Sequence, residues 1–148
     1  MTTIAYKDGV IAYDSRVTDG GYITDDDFNK RFDVDGVSFF LTGCITDYAS
    51  LIDAYFGGKP RRHIDCKAFV YDNGEVFECG VSGASGLWKY RMRLDNPAAI
   101  GSGAQFALAA MFLGEPASDA VALASKLDSA TGGCIRIFSI QEWGALHE

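Results

Sequence analysis

The chain has 148 residues, 48% of them apolar and 22% charged, which fits one domain with a sizeable buried core. Its net charge of −7 argues against nucleic acid or an anionic membrane surface as a partner. No apolar run approaches the ~18 residues of a membrane span, and the start lacks the basic and apolar pattern of a secretory signal.

Thr2 to Tyr6 opens the chain as an apolar strand, and a turn at Lys7-Asp8-Gly9 leads into Val10 to Ser15. Asp-Gly between apolar runs predicts a hairpin. A loop follows with Gly20-Gly21 and the acidic run Asp25-Asp26-Asp27, which reads as a solvated turn. Phe28 to Phe32 is strand-like, and a turn at Asp35-Gly36 precedes the apolar strand Val37 to Leu41. Thr46-Asp47 reads as the cap of a helix whose Tyr48, Leu51, Ile52 and Tyr55 share one face. Gly57-Gly58 ends it. Lys67 to Tyr71 and Glu75 to Cys79 flank Asn73-Gly74 as another hairpin. Gly103 to Leu113 predicts an Ala-rich helix stopped by Gly114 and Pro116. Ser118-Asp119 caps a third helix running to about Ser129, and Cys134 to Ser139 forms the last strand. This order predicts an α+β fold with two antiparallel sheets packed together and helices outside.

Thr2 stands directly behind Met1, so removal of Met1 creates a residue with both a nucleophilic hydroxyl and a free α-amine. A base on the same residue is one of the few ways to activate a threonine. An α-amine has a reference pKa of roughly 7.7–8, close to working pH. A nearby fixed positive charge keeps that amine neutral, and a carboxylate must hold the charge in place. The first hairpin offers Asp14. A three-residue Lys7-Asp8-Gly9 loop sets Thr2 opposite Asp14, whereas a two-residue Asp8-Gly9 turn sets Asp14 opposite Thr3, on the other face. The catalytic reading prefers the three-residue loop. Lys30 shares the even spacing of Phe28 and Phe32, so it faces their side, either paired with Asp14 or snorkelling over a core as a surface lysine.

The cysteines Cys44, Cys66, Cys79 and Cys134 have no CxxC spacing and lie in apolar stretches, so they read as reduced, buried packing residues of a cytoplasmic protein. No metal site is expected among them. The histidines are His63 and His147, which leaves few candidates for a histidine-based triad.

The segments Thr2-Thr3-Ile4-Ala5, Asp8-Gly9-Val10-Ile11-Ala12, Asp14-Ser15-Arg16, Gly20-Gly21-Tyr22-Ile23 and Asn29-Lys30 together resemble the proteasome β-subunit family. Within it the chain is most similar to the bacterial HslV-type peptidases, whose members carry almost no propeptide. Thr42-Gly43-Cys44-Ile45-Thr46-Asp47, Ile100-Gly101-Ser102-Gly103 and Asp128-Ser129-Ala130-Thr131-Gly132-Gly133 agree in the same order.

The resemblance implies a four-layer αββα sandwich, the fold of hydrolases with an N-terminal nucleophile (Ntn hydrolases). It implies Thr2 as nucleophile with its freed amine as base, Asp14 and Lys30 as the essential charge pair, and the Gly43 N–H as oxyanion donor. It further implies Ser102, Asp128 and Thr131 around the amine and its water, with Thr18 and Ile45 pairing through their backbone with an extended substrate. The specificity positions it implies are Val17, Phe28, Phe32, Leu41, Ile45 and Ala49. All are apolar, so an apolar side chain is expected before the cut bond.

The implied partners are a peptide or unfolded protein as substrate, further copies in rings or stacked rings, and an ATP-driven unfoldase. No cofactor is required, although related subunits hold a monovalent or divalent cation on backbone carbonyls near Ser125, Asp128 and Thr131. One departure stands out. Only Gly57 to Asp65, broken by Pro60, separates the first helix from the next strand, so one helical layer is shortened. The unfoldase and the ring size are therefore not carried over. The other readings are an amidohydrolase acting on small amides and an assembly-forming protein without turnover.

Overall fold

Asp8-Gly9, Asp35-Gly36 and Asn73-Gly74 each turn a hairpin with both residues at positive φ, at 49° and 79°, 51° and 79°, and 52° and 82°. This two-residue geometry matches the twist of the strands it joins, and Asp and Asn are among the side chains that tolerate it. The computed structural model describes residues 2–60, 63–82 and 86–140. In chain order the elements are β1 (Ile4–Lys7), β2 (Val10–Tyr13), β3 (Val17–Asp19), β4 (Tyr22–Asp25), β5 (Arg31–Val34) and β6 (Val37–Gly43). After a short 3-10 turn at Ile45–Asp47 come α1 (Tyr48–Tyr55), β7 (Cys66–Asp72), β8 (Glu75–Ser82) and β9 (Gly86–Arg91). The chain closes with β10 (Ala98–Ile100), α2 (Ala104–Phe112), α3 (Ala117–Leu127) and β11 (Arg136–Ser139). These elements form two compact units, Met1–Lys30 with Arg93–Glu148, and Arg31–Met92.

The first unit holds a four-stranded sheet in the order β10-β1-β2-β11 and the β3–β4 ribbon. Helices α2 and α3 cover the sheet through small residues. Ala5 and Ala12 face each other across β1 and β2, and they meet Ala107, Ala110, Ala117, Ala120 and Ala124 together with Met111 and Val121. The three- and four-residue spacing of those alanines keeps them on one helical face, and their size lets the helices approach the strands closely. The Lys7 ammonium donates to the carbonyls of Met111 and Glu115, which holds the end of α2 against β1.

The second unit is a five-stranded sheet, β5-β6-β7-β8-β9. Helix α1 lies on it, with Leu51 fully buried and the Tyr55 ring edge-on to Phe39 at 5.2 Å. Glycine ends α1 as expected. Gly57 has φ of 101° and donates to the Ala54 carbonyl, and Gly58 donates to that of Asp53. Among the described residues no helix stands between Tyr55 and β7.

Every pairing in these sheets is antiparallel, so the α+β class stands. Several local expectations change. The first hairpin has the two-residue turn, with Lys7 opposite Val10. Phe28 to Lys30 is not strand, and β5 starts at Arg31. Helix α3 starts at Ala117 behind Pro116, whose carbonyl accepts from Ala120, so Ser118-Asp119 lies inside the first turn. The last strand begins at Arg136, two residues late. Strands β3 and β4, which stand where a loop was expected around Gly20-Gly21, and strands β9 and the three-residue β10 have no counterpart in the predicted elements. Of the cysteines, Cys66 and Cys79 are buried but Cys44 and Cys134 are exposed, because each flanks a glycine turn outside the strands.

Candidate functional site

Thr2 and Thr3 lie just before β1, and Asp14 lies just after β2. The ladder continues by one bond, from Asp14 N–H to the Thr3 carbonyl at 3.3 Å, so Asp14 sits across from Thr3 rather than Thr2. The strict alternation of faces no longer binds at this frayed end. Asp14 Oδ1 accepts from the Thr2 hydroxyl at 3.0 Å and from the Thr3 N–H at 3.2 Å. The link between Thr2 and Asp14 therefore forms without the three-residue loop that the catalytic reading preferred.

Lys30 completes this cluster. Its ammonium lies 2.7 Å from Asp14 Oδ1, and both residues are buried, Lys30 at 1% exposure and Asp14 at 0%. Burial pulls the lysine below its ordinary pKa, while the charge and hydrogen bond of Asp14 pull it back up. The other carboxylate oxygen accepts from the Gly132 N–H at 2.9 Å and the Arg16 N–H at 3.3 Å. Five donors thus converge on one carboxylate, the satisfaction that a buried ion pair needs.

A second carboxylate anchors the other flank. Asp128 Oδ2 accepts from Ser102 Oγ at 2.6 Å and Thr131 Oγ1 at 2.7 Å, and Oδ1 accepts from the Ala130 N–H at 3.2 Å. Burial alone would raise its pKa, but these donors outweigh that and hold it below the usual carboxylate range. An ionised carboxylate only accepts, so both hydroxyls spend their single proton on it. Thr3 must then donate in its 2.8 Å contact with Thr131. Ser102 in turn offers a lone pair to the Thr2 N–H at 3.0 Å. The Gly103 N–H holds the Thr2 carbonyl at 3.2 Å. The hydroxyl and the nitrogen of Thr2 are therefore each tied to a different carboxylate.

Gly43 belongs to the second unit, at the end of β6. Its φ is 115°, and a Cβ there would stand 2.4 Å from the Asp65 carbonyl oxygen, so this position accepts only glycine without movement. Of the expected substrate-contact positions, Val17 and Thr18 lie half-buried on β3 and Phe28 follows the acidic run. In the second unit, Phe32 packs edge-on to Tyr48 at 5.8 Å, Leu41 is fully buried, and Ile45 and Ala49 are exposed. Leu41 thus has no surface to offer a ligand, because both faces of β6 are buried from Val37 to Thr42.

Thr3, Arg16, Gly103 and Gly132 are in contact with this cluster and were given no role by the sequence reading. Arg16 fixes the loop that supplies Gly132, donating to Asp26 Oδ1 at 2.8 Å and to the Ser129 carbonyl at 3.0 Å. The only signal in the sequence was their presence inside the quoted motifs.

Neither family models nor curated proteins match the sequence. Solved structures do match the fold. The eukaryotic HslV from Trypanosoma brucei superposes with a TM-score of 0.69 at 20% identity, over 93% of this chain and 97% of that one. Thiobacillus denitrificans BPH in complex with epoxomicin gives a TM-score of 0.65 at 17% identity, over 95% of this chain and 98% of that one. A second structure of the same BPH gives 0.63 at 17% identity. The chain thus has the fold of HslV and of this BPH, in line with the resemblance carried by the motifs from Thr2 to Gly133.

Proposed function

We propose that the chain is a threonine peptidase that uses Thr2 as nucleophile once Met1 is removed. The observation that carries this reading is the buried Lys30–Asp14 pair with the Thr2 hydroxyl on the same carboxylate oxygen, 2.7 and 3.0 Å away. A fully buried lysine whose ammonium is favoured by Asp14 supports, beside a threonine hydroxyl, negative charge developing on that oxygen.

In this reading the freed Thr2 amine takes the hydroxyl proton as Oγ1 attacks the carbonyl carbon of the scissile peptide bond. With Met1 attached, the nitrogen is a peptide nitrogen and cannot accept that proton, and the hydroxyl donates to Asp14 instead. Ser102 and Asp128 orient the amine through its N–H, which leaves the nitrogen lone pair for the proton. The tetrahedral intermediate collapses, the C–N bond breaks, and the amine passes its proton to the leaving nitrogen. An acyl ester remains on Thr2 Oγ1. Water then attacks the ester with the amine again as base, and the acid product leaves. The oxyanion donor in this scheme is the Gly43 N–H, a role drawn from the resemblance, as is the part of Thr131 in holding the water. A peptide or unfolded segment with an apolar residue before the cut bond is the substrate. Assembly with further copies and a cation on the Ser125, Asp128 and Thr131 carbonyls belong to the same resemblance, while the unfoldase and the ring size are not carried over to this shortened chain.

The alternative is a silent, assembly-forming protein. Intact mass measurement after incubation with epoxomicin separates the two. The peptidase loses the mass of Met1 and gains one inhibitor bridging the amine and hydroxyl of Thr2. A processed chain that gains no adduct removes the peptidase reading.

A further inference from the structure

Arg136 opens β11 opposite Tyr13 of β2, and its guanidinium lies outside the two carboxylate clusters. Nη1 donates to Ser15 Oγ at 2.5 Å and to the Phe28 carbonyl at 3.4 Å. Nη2 donates to Asp27 Oδ1 at 2.9 Å and to the Asp27 carbonyl at 3.4 Å. Ser15 is the neighbour of Asp14, and Phe28 stands two residues before Lys30. One rigid, planar group therefore touches both the segment that carries Asp14 and the segment that carries Lys30.

Neither segment has a ladder of its own. Residues 14–16 and 28–30 lie outside every strand. Besides the buried pair, the Phe28 N–H donates to the Ser15 carbonyl at 3.0 Å. Ser15 Oγ passes its proton to the Cys134 carbonyl at 2.6 Å, so its lone pairs are left for the guanidinium. The ion pair with Asp27 does not explain the arrangement, because the Asp27 side chain is 80% exposed and such pairs contribute little. What the fork adds is geometry, since its donors reach two backbone segments at fixed angles.

We propose that Arg136 is a positioning residue for the Lys30–Asp14 pair, holding the Ser15 and Phe28 segments at the separation which the 2.7 Å contact needs. This rests on the peptidase reading for its effect on turnover, but not for its effect on the pair itself. Charged groups that act on Lys30 are Asp14 and Asp128, which favour its ammonium, and Arg16, which opposes it. Loosening the Asp14 contact removes the strongest of the favourable influences, so Lys30 loses its proton at lower pH.

The test uses the full chain with Arg136→Gln and Arg136→Lys, and two readouts. Against a fluorogenic peptide with an apolar residue before the cut, Arg136→Gln lowers kcat on the order of 10- to 100-fold with little change in KM, as a misplaced catalytic pair does. The alkaline limb of its kcat/KM profile moves to lower pH. Arg136→Lys, which keeps the charge without the fork, recovers only part of kcat, and it carries the test if the glutamine variant does not fold. The second readout is the titration of the Lys30 ammonium by NMR of isotope-labelled lysine, which needs no activity. It shifts to lower pH in both variants. Wild-type kcat together with an unmoved Lys30 titration overturns the proposal. If the wild-type chain forms no epoxomicin adduct, the peptidase reading alone falls, and the Lys30 titration decides the role of Arg136.

Discussion

The Thr2 hydroxyl donates to Asp14 Oδ1 at 3.0 Å although the hairpin sets Asp14 across from Thr3. The two residues meet because both stand beyond the paired strands, Thr2 two residues before β1 and Asp14 one residue after β2, where a short side chain can lean along the ladder. The same oxygen holds the Lys30 ammonium, so the geometry of the threonine and the charge of the lysine depend on one atom.

That dependence gives the first prediction. Lys30→Met leaves the Asp14 carboxylate buried without its counter-charge and costs about 3–5 kcal/mol of stability. Adding Asp14→Asn to that variant recovers part of the loss, since the amide oxygen still accepts from Thr2 and Thr3. Urea titrations of the wild type and the single and double variants measure this coupling. A Lys30→Met variant within about 1 kcal/mol of wild type contradicts a charged pair at this site. Lys30→Met also abolishes peptide turnover where the double variant, though more stable, stays inactive.

The second prediction concerns acid. The folded pKa of Asp128 is depressed, so its contribution is complete above the unfolded value of about 3.9 and fades as pH falls through the folded value. Asp128→Asn is therefore less stable than wild type at neutral pH, and the gap narrows as pH drops from about 5 towards 3. Urea midpoints across that range read the gap directly. A gap that widens with acid means that Asp128 is not held ionised by Ser102, Thr131 and Ala130.

Much of the fold was legible because its signals are local. Three X-Gly pairs fixed three hairpins, and Gly57-Gly58 and Gly114 marked two helix ends. Strands β3 and β4 were read as a loop around Gly20-Gly21, because every residue of β4 is exposed and no apolar face marks it. Strands β9 and β10 were missed for other reasons. Gly86-Leu87-Trp88-Lys89-Tyr90-Arg91 alternates weakly at a sheet edge, and Ala98–Ile100 is too short to carry a period. Lys30 illustrates a sound expectation with an unsound basis. It is buried against Asp14, yet the strand alternation that pointed there does not exist, since Phe28 to Lys30 is coil. Thr3 escaped notice for a related reason. Its role depends on Thr131 at a separation of 128 residues, and no local pattern encodes that.

Gly43→Ala is the third prediction. The backbone there has φ of 115°, and the added Cβ meets the Asp65 carbonyl oxygen at 2.4 Å and Cys66 Cα at 2.8 Å. Both obstacles are backbone, so β6 and β7 must part locally, at a cost of about 1–3 kcal/mol for the strained conformation alone. Hydrogen exchange should show faster opening at Cys44, whose N–H bonds the Asp65 carbonyl at 2.8 Å. Unchanged exchange and stability would remove the argument that this site is restricted to glycine.

The fourth prediction separates space from backbone strain at Gly103. Its φ of −94° suits any residue, so alanine meets no conformational obstacle. A Cβ would, however, stand 2.0 Å from Thr3 Oγ1, with Ala124 Cβ and Thr131 Oγ1 both at 3.1 Å. The Thr3 hydroxyl must move, and with it the contacts that run through Thr131 to Asp128. Gly103→Ala should cost about 1–3 kcal/mol, as overpacking does, and should lower turnover through the altered seat of Ser102. Thr3→Ala removes the obstructing oxygen, so in that background the same glycine change should cost much less. The difference between the two costs, from urea titrations of all four chains, is the clash between Gly103 and Thr3. Equal costs in the two backgrounds would mean that the helix α2 start, rather than the Thr3 hydroxyl, demands glycine.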